Sequence, residues 1–179
     1  MIKDGNTIIA ENGKELKRIA DGIRFGSEIT LGYTYYIGGK KLGTPLLELP
    51  EHYVEVDSLD TLKANKIAEI VAYDSSDNVN AFLFGGVKVW LDKATRVGLM
   101  NSTSILKASG KPTTSLWLNG APIQMECDRL IGLLSLLEVY ALECYNTTEQ
   151  HKANVLTLND EEDIINYDYT AGYPLLLEV

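Results

Sequence analysis

The feature that most constrains this chain is a stripe of residues, Leu130, Leu134, Leu137, Ala141, Cys144, Thr148, His151, Val155 and Leu158, recurring at alternating spacings of four and three. Only an α-helix returns side chains to one face with that period. A helix over 126–157 is roughly 45 Å long, so the rest of its domain has to be organised along it. Leu133, Leu136 and Tyr140 widen the stripe in its first half. That half is expected to pack inside the domain, while the narrower half, diluted by Thr148 and His151, is exposed or faces another subunit. The helix 126–157 is therefore the segment through which copies of the chain would associate. Cys127 and Cys144 lie on it 17 residues apart, or roughly 25 Å, well beyond the ~7 Å that a disulfide spans. Two buried reduced thiols are expected.

The segments before this helix carry the opposite signal, period two with glycine punctuation. Ala81-Phe82-Leu83-Phe84, Gly85-Gly86 and Val87-Lys88-Val89-Trp90-Leu91 read as a tight hairpin, because both turn residues tolerate positive φ. Asp92 then caps a helix running through Arg96, Leu99, Met100, Ile105 and Leu106 to a stop around Gly110 and Pro112. The arrangement repeats in Ser115 to Leu118, Asn119-Gly120 and Ala121 to Met125, with Pro122 placing the return strand at an edge. An earlier helix is capped by Asp57 or Ser58, carries Leu59, Leu62, Lys66, Ile67, Ile70 and Val71, and ends near Tyr73 to Asp77. A last short helix, Asp160 to Asn166, follows a capping arrangement of Asn159 and Glu162. The fold class is α+β: helix, hairpin, helix, hairpin, long helix, short helix, with the hairpins expected in one antiparallel sheet covered by helices.

Residues 1–57 read as a separate, hairpin-rich β module ending in a linker, and 58–179 as the α+β domain. Asn12-Gly13 after Thr7 to Ala10, and Gly38-Gly39 after Tyr33 to Ile37, are hairpin signals. From Glu28 to Ile37 the odd positions are apolar or aromatic, predicting one strand with a buried face. Pro45 and Pro50 bracket Leu46 to Leu49 and confine 44–57 to an edge or connector. At 179 residues and 45% hydrophobic content, folding removes roughly 70% of the unfolded surface from water, so neither disulfides nor metals are needed for a core.

Charge and motif arithmetic remove most function classes. The net charge of −9 disfavours nucleic acid and membrane surfaces. The basic contenders, Lys14, Lys17 and Arg18 or Lys40-Lys41, read as turn decoration. No apolar run follows Lys3 as in a secretory signal, and Leu130 to Tyr145 is broken by Glu138 and Glu143, so an intracellular chain is expected. With only His52 and His151, a three-histidine metal site is impossible, and a mixed site would need both cysteines. His151 lies roughly 10 Å from Cys144 along the helix, too far for a nucleophilic pair. Asp160 to Asp163 suits a helix start rather than a calcium loop. The glycine pairs lack any phosphate-binding continuation, no Gly-x-Ser-x-Gly elbow occurs, and Ser102-Thr103-Ser104 sits in a helical pattern. No catalytic, cofactor-binding or metal residue is assigned. Trp90 and Trp117, in apolar hairpins, are placed in the core by default, whereas Tyr36 is the surface aromatic.

A helix, then Asn80 to Asp92, Arg96 and a helix, then Trp117-Leu118-Asn119-Gly120 leading into a long helix, and finally Asp168-Tyr169-Thr170-Ala171-Gly172-Tyr173-Pro174, together resemble an uncharacterised domain of tailed-phage and prophage proteins. The resemblance covers about residues 60–174, and members are often encoded as tail-fibre-associated or tail-assembly-like proteins. It implies a non-enzymatic structural or assembly role through contacts with other tail proteins or with itself, and no catalytic residues. Two other readings are a carbohydrate- or peptide-binding module using exposed Tyr35, Tyr36 or Trp117, and an enzyme whose site forms between subunits around His52, His151 and several acids.

Overall fold

The computed structural model describes every residue except Met1, Gly5, Thr34, Gly38, Gly39 and 44–51, and for 2–4, 35–37 and 40–43 the backbone alone. Along the chain it has β1 (Ile2–Asp4), β2 (Thr7–Ile9), β3 (Lys14–Arg18), β4 (Glu28–Thr30), β5 (Tyr35–Ile37), β6 (Lys40–Gly43), β7 (Tyr53–Asp57) and α1 (Leu59–Asp74). These are followed by β8 (Ala81–Phe84), β9 (Val87–Trp90), α2 (Lys93–Ala108), β10 (Thr113–Leu118), β11 (Ala121–Glu126), α3 (Cys127–Thr157), α4 (Glu161–Ile165) and β12 (Leu177–Glu178). The fold is mixed α+β, with helices packed on small, mainly antiparallel sheets. It divides into two compact units, residues 1–66 with 158–166, and residues 67–157 with 167–179. The first unit thus takes in the start of α1 and all of α4 besides the β strands.

In the first unit, Ile8, Leu16 and Ile29 are fully buried, and Phe25 meets Tyr53 edge-on at 6.0 Å. Asn12-Gly13 does make a turn, with Gly13 at φ +78° and Lys14 N donating to Glu11 O, but the strands it joins do not pair. β2 lies between β1 and β4, whereas β3 pairs with β7. The reason lies at the turn, where the Gly13 carbonyl accepts from Ser58 N and Thr61 Oγ1. This holds the start of α1 on the turn and brings the strand preceding that helix alongside β3. The long strand expected over 28–37 is also cut short: Ile29 and Leu31 are buried as the alternation requires, but Gly32 at φ +85° turns the chain and Tyr33 is exposed. β5 and β6 pair antiparallel on either side of Gly38-Gly39. Those glycines, and Pro45 to Pro50, fall outside the described residues.

Lys14, Lys17 and Arg18 are strand residues with ion-pair partners, Asp57, Glu161 and Asp21, rather than turn decoration. Arg24 donates to Glu15 and to the Asp57 carbonyl, and pairs with Glu161 at 2.7 Å. The α4 cap is Asp160, one residue later than expected; its carboxylate accepts from Glu162 N and Asp163 N. Glu161 itself is held below its ordinary 4.5 by hydrogen bonds from Lys17 and Arg24. A depressed native value makes its contribution complete above 4.5, and the contribution fades as pH falls below that toward the native value. The exposure of these side chains limits it to about 1 kcal/mol. Glu161→Gln is therefore expected to lower the urea midpoint near neutrality, with the difference from wild type vanishing in acid.

The second unit follows the expected order of elements. Gly85 and Gly86 (φ +55° and +80°) close β8 on β9, and Asn119 and Gly120 (φ +48° and +82°) close β10 on β11. Asp92 caps α2 by accepting from Thr95 N, and Ser58 does the same for α1 through Thr61 N. The two hairpins nevertheless belong to separate sheets. The C-terminal β12 takes the side of β8 away from β9, parallel and in register Leu177 to Phe82. Pro122 faces Trp117 as a non-hydrogen-bonded pair, so its missing N–H costs the hairpin nothing but spoils that edge of β11 for a further strand.

The core of this unit joins Phe82, Leu116, Leu130 and Leu134, all fully buried, with Val89, Leu118, Met125, Leu133 and Leu137. The α3 stripe is buried at Leu130, Leu134, Leu137, Cys144, Thr148 and Val155. Ala141 and His151 are half-buried, Leu136 is exposed and Leu158 lies beyond the helix. Among the described residues no helix is long and apolar enough to cross a membrane.

Candidate functional site

A concavity of about 650 Å³ lies within the second unit. Three local rules build it. The period of α3 sets Glu138, Ala141, Leu142 and Tyr145 on one face. The cap of α2 places Asp92 and Lys93 at the rim and Arg96 one turn further on. Trp90, the last residue of β9, forms a wall, and Asp74, Ser75 and Asn80 come from the connection between α1 and β8. Asn80 adopts φ +65°, a left-handed conformation that asparagine tolerates better than most residues.

Arg96 is the unusual member, being only 6% exposed. Its Nε donates to Glu138 Oε1 at 2.8 Å and its Nη1 to the Leu91 carbonyl at 2.7 Å. Its other terminal nitrogen, Nη2, bonds to none of the described residues. The carboxylates have structural partners too. Asp92 is held below the usual carboxylate range by the Thr95 hydroxyl and amide, and Asp74 accepts from Thr148 Oγ1 at 2.9 Å. Ser75 Oγ donates back to the Val71 carbonyl. The groove thus offers aromatic and aliphatic surface interspersed with charged groups, a lining suited to recognising a ligand by shape and charge.

The tryptophans correct the sequence reading. Trp90 is 41% exposed and Trp117 63%. In β10, Leu116 and Leu118 occupy the buried face, so Trp117 between them must point away; in β9, buried Val89 does the same to Trp90. Strand alternation held this signal, and aromatic character masked it. The groove itself combines three separate chain segments, 74–80, 90–96 and 138–145, of which the sequence marked Trp90, Asp92, Arg96 and Ala141 singly and never as a group. Tyr35 and Tyr36 side chains fall outside the described residues.

Cys127 and Cys144 are buried and unpaired with each other, as expected, and burial pushes the Cys144 thiol up. His151 sits in a closed network: Nε2 donates to the Ala171 carbonyl, so Nδ1 accepts from Tyr167 when the ring is neutral, both at 2.9 Å. Tyr173 packs on the same ring and bonds to Thr148, which fastens the closing Gly172-Tyr173-Pro174 segment to α3. His52 belongs to the first unit. Among the described residues no three His, Cys, Asp or Glu side chains gather as a metal site. Compared with family models, with curated proteins and with solved structures, the chain matches none.

Proposed function

We propose that this protein is a non-enzymatic docking component of a phage or prophage tail, acting in assembly or in the virion through protein–protein contacts. One observation carries the reading: Trp90 and Trp117, the side chains most able to anchor an interface, stand outward on short hairpins whose neighbouring residues fill the core. Rigid presentation keeps the ordering cost of such anchors low. The resemblance of 60–174 to tail-associated proteins supplies the setting, and the structural roles of the groove's polar groups favour recognition over bond making. Self-association through α3 fits the same reading, since Leu136 and Val139 are exposed along it.

The test is fractionation of tail particles from the host that carries the gene. The protein is expected to sediment with tails, and Trp117→Ala to reduce that association about tenfold, a loss of about 1.4 kcal/mol. A protein that never enters the tail fraction, encoded among metabolic genes, would end this reading. The exposure of Trp117 also favours a carbohydrate-binding module. Binding on a glycan array that disappears in the same variant would decide for it.

A further inference from the structure

We propose that the outer edge of β9, together with the groove beside it, receives an extended basic segment of a partner protein by strand addition. This rests on the docking reading above and deepens it. β9 ends its sheet, whose order is β12-β8-β9, so among the described residues no strand lies along its far side. The ladder phase says which groups face that side. Across the two-residue turn, Phe84 with Val87 and Phe82 with Val89 are hydrogen-bonded pairs, whereas Lys88 and Trp90 oppose Leu83 and Ala81 without bonding them. The N–H and C=O groups of Lys88 and Trp90 therefore point outward. Two bonds confirm the phase: on the opposite side the Leu83 carbonyl accepts from Val179 N, and on the open side the Lys88 carbonyl accepts from Asn119 Nδ2 at 3.3 Å.

The Asn119 amide, from the tip of the second hairpin, is thus a stand-in for one rung of a missing strand. The Lys88 and Trp90 amides and the Trp90 carbonyl have no partner among the described residues. An edge left in this state is a template for pairing unless it is blunted. Here the blunting consists of Lys88, itself paired with Asp77 at 3.1 Å, and the long Asn119 bond. At the end of the strand, Trp90 opens directly into the groove, so a chain laid along β9 finds backbone partners first and a side-chain pocket next. This is the division of labour of strand-addition receptors.

Charge selects the occupant. Asp77 neutralises Lys88 and Glu138 neutralises Arg96, which leaves Asp74 and Asp92 facing Lys93 alone. A basic side chain entering beside Trp90 and Tyr145 gains both carboxylate and ring-face attraction. A second copy of a chain with net charge −9 would instead bring like charge to the site.

The experiment uses the full chain and three short synthetic peptides. One alternates valine with lysine, one replaces lysine by glutamate, and one interrupts the lysine peptide with a central proline. Amide exchange is read by NMR. The lysine peptide is expected to slow exchange at Lys88 and Trp90 about tenfold while leaving Val87 and Val89, already in the ladder, unchanged. The glutamate and proline peptides should do nothing, and added salt should weaken the effect. Lys88→Pro removes an outward donor and should abolish protection at Trp90. Asn119→Gly, which suits positive φ and withdraws the stand-in amide, should tighten binding about threefold. No slowing at about 1 mM peptide, equal slowing by the glutamate peptide, or protection of these amides in a peptide-free dimer would each overturn the proposal. Tail fractionation keeps the two readings apart: a tail-bound protein whose β9 ignores the lysine peptide loses strand addition and keeps docking.

Discussion

Phe82→Ala should destabilise the second unit by about 3–5 kcal/mol. Phe82 is fully buried in β8, the middle strand of its sheet, and its ring belongs to the cluster that joins both hairpins to α3. Removing it leaves a void in the cluster through which these elements pack. Leu177 of β12 pairs with it in register, so the C-terminal strand is loosened as well. Natural domains hold only about 5–15 kcal/mol in total, and a large unfolded fraction at 37 °C is the expected outcome. Phe82→Leu keeps most of the volume and should cost about 1 kcal/mol. Both tryptophans lie in the second unit, so urea unfolding followed by tryptophan fluorescence measures this directly. A loss below about 1 kcal/mol for the alanine variant would show that the cluster is not the organising core.

The second large effect is an asymmetry. Glu138→Ala should cost about 3 kcal/mol, whereas Arg96→Met should cost about 1 kcal/mol. The guanidinium is buried and its partner carboxylate is 41% exposed. Removing the glutamate strands a charge that cannot shed its proton, while removing the arginine leaves a carboxylate that water can solvate. Methionine fills much of the same space with apolar atoms, and the principal loss is the bond to the Leu91 carbonyl. The same urea experiment compares the two variants. Equal costs would mean that the guanidinium reaches solvent through the groove, and the groove would then be wetter than its lining indicates.

What could be read from the chain in advance divides along a physical line. Features decided within a few residues were legible: Asp92 and Ser58 as caps, the Gly85-Gly86 and Asn119-Gly120 turns, and the α3 stripe. Each depends on a local dihedral or a local hydrogen bond. Choices of partner were not. Leu16 in β3 faces Glu55 of β7 and not β2, because the Gly13 carbonyl binds the start of α1. Nothing near Leu16 records that. β12 is two residues long and carries no periodic signal, yet it takes the side of β8 that the hairpin leaves free. The tryptophans differ again: alternation with Leu116, Leu118 and Val89 directs them outward, against the usual burial of their residue type. The groove was illegible as a whole because Asp74, Trp90, Arg96 and Glu138 converge only in three dimensions.

The division of the chain has a practical consequence for anyone wishing to cut it. Because 158–166 belongs with the N-terminal strands and 167–179 goes back to the α-helical body, the backbone crosses between the bodies three times. No single scission yields two intact pieces. A fragment starting near residue 58 would carry α4 with Glu161 bereft of Lys17 and Arg24. A fragment ending there would lack the carboxylate that those cations hold. Dissection therefore requires excising an internal segment and rejoining the ends, and a protease that nicks the 44–51 stretch should leave both products associated on a sizing column.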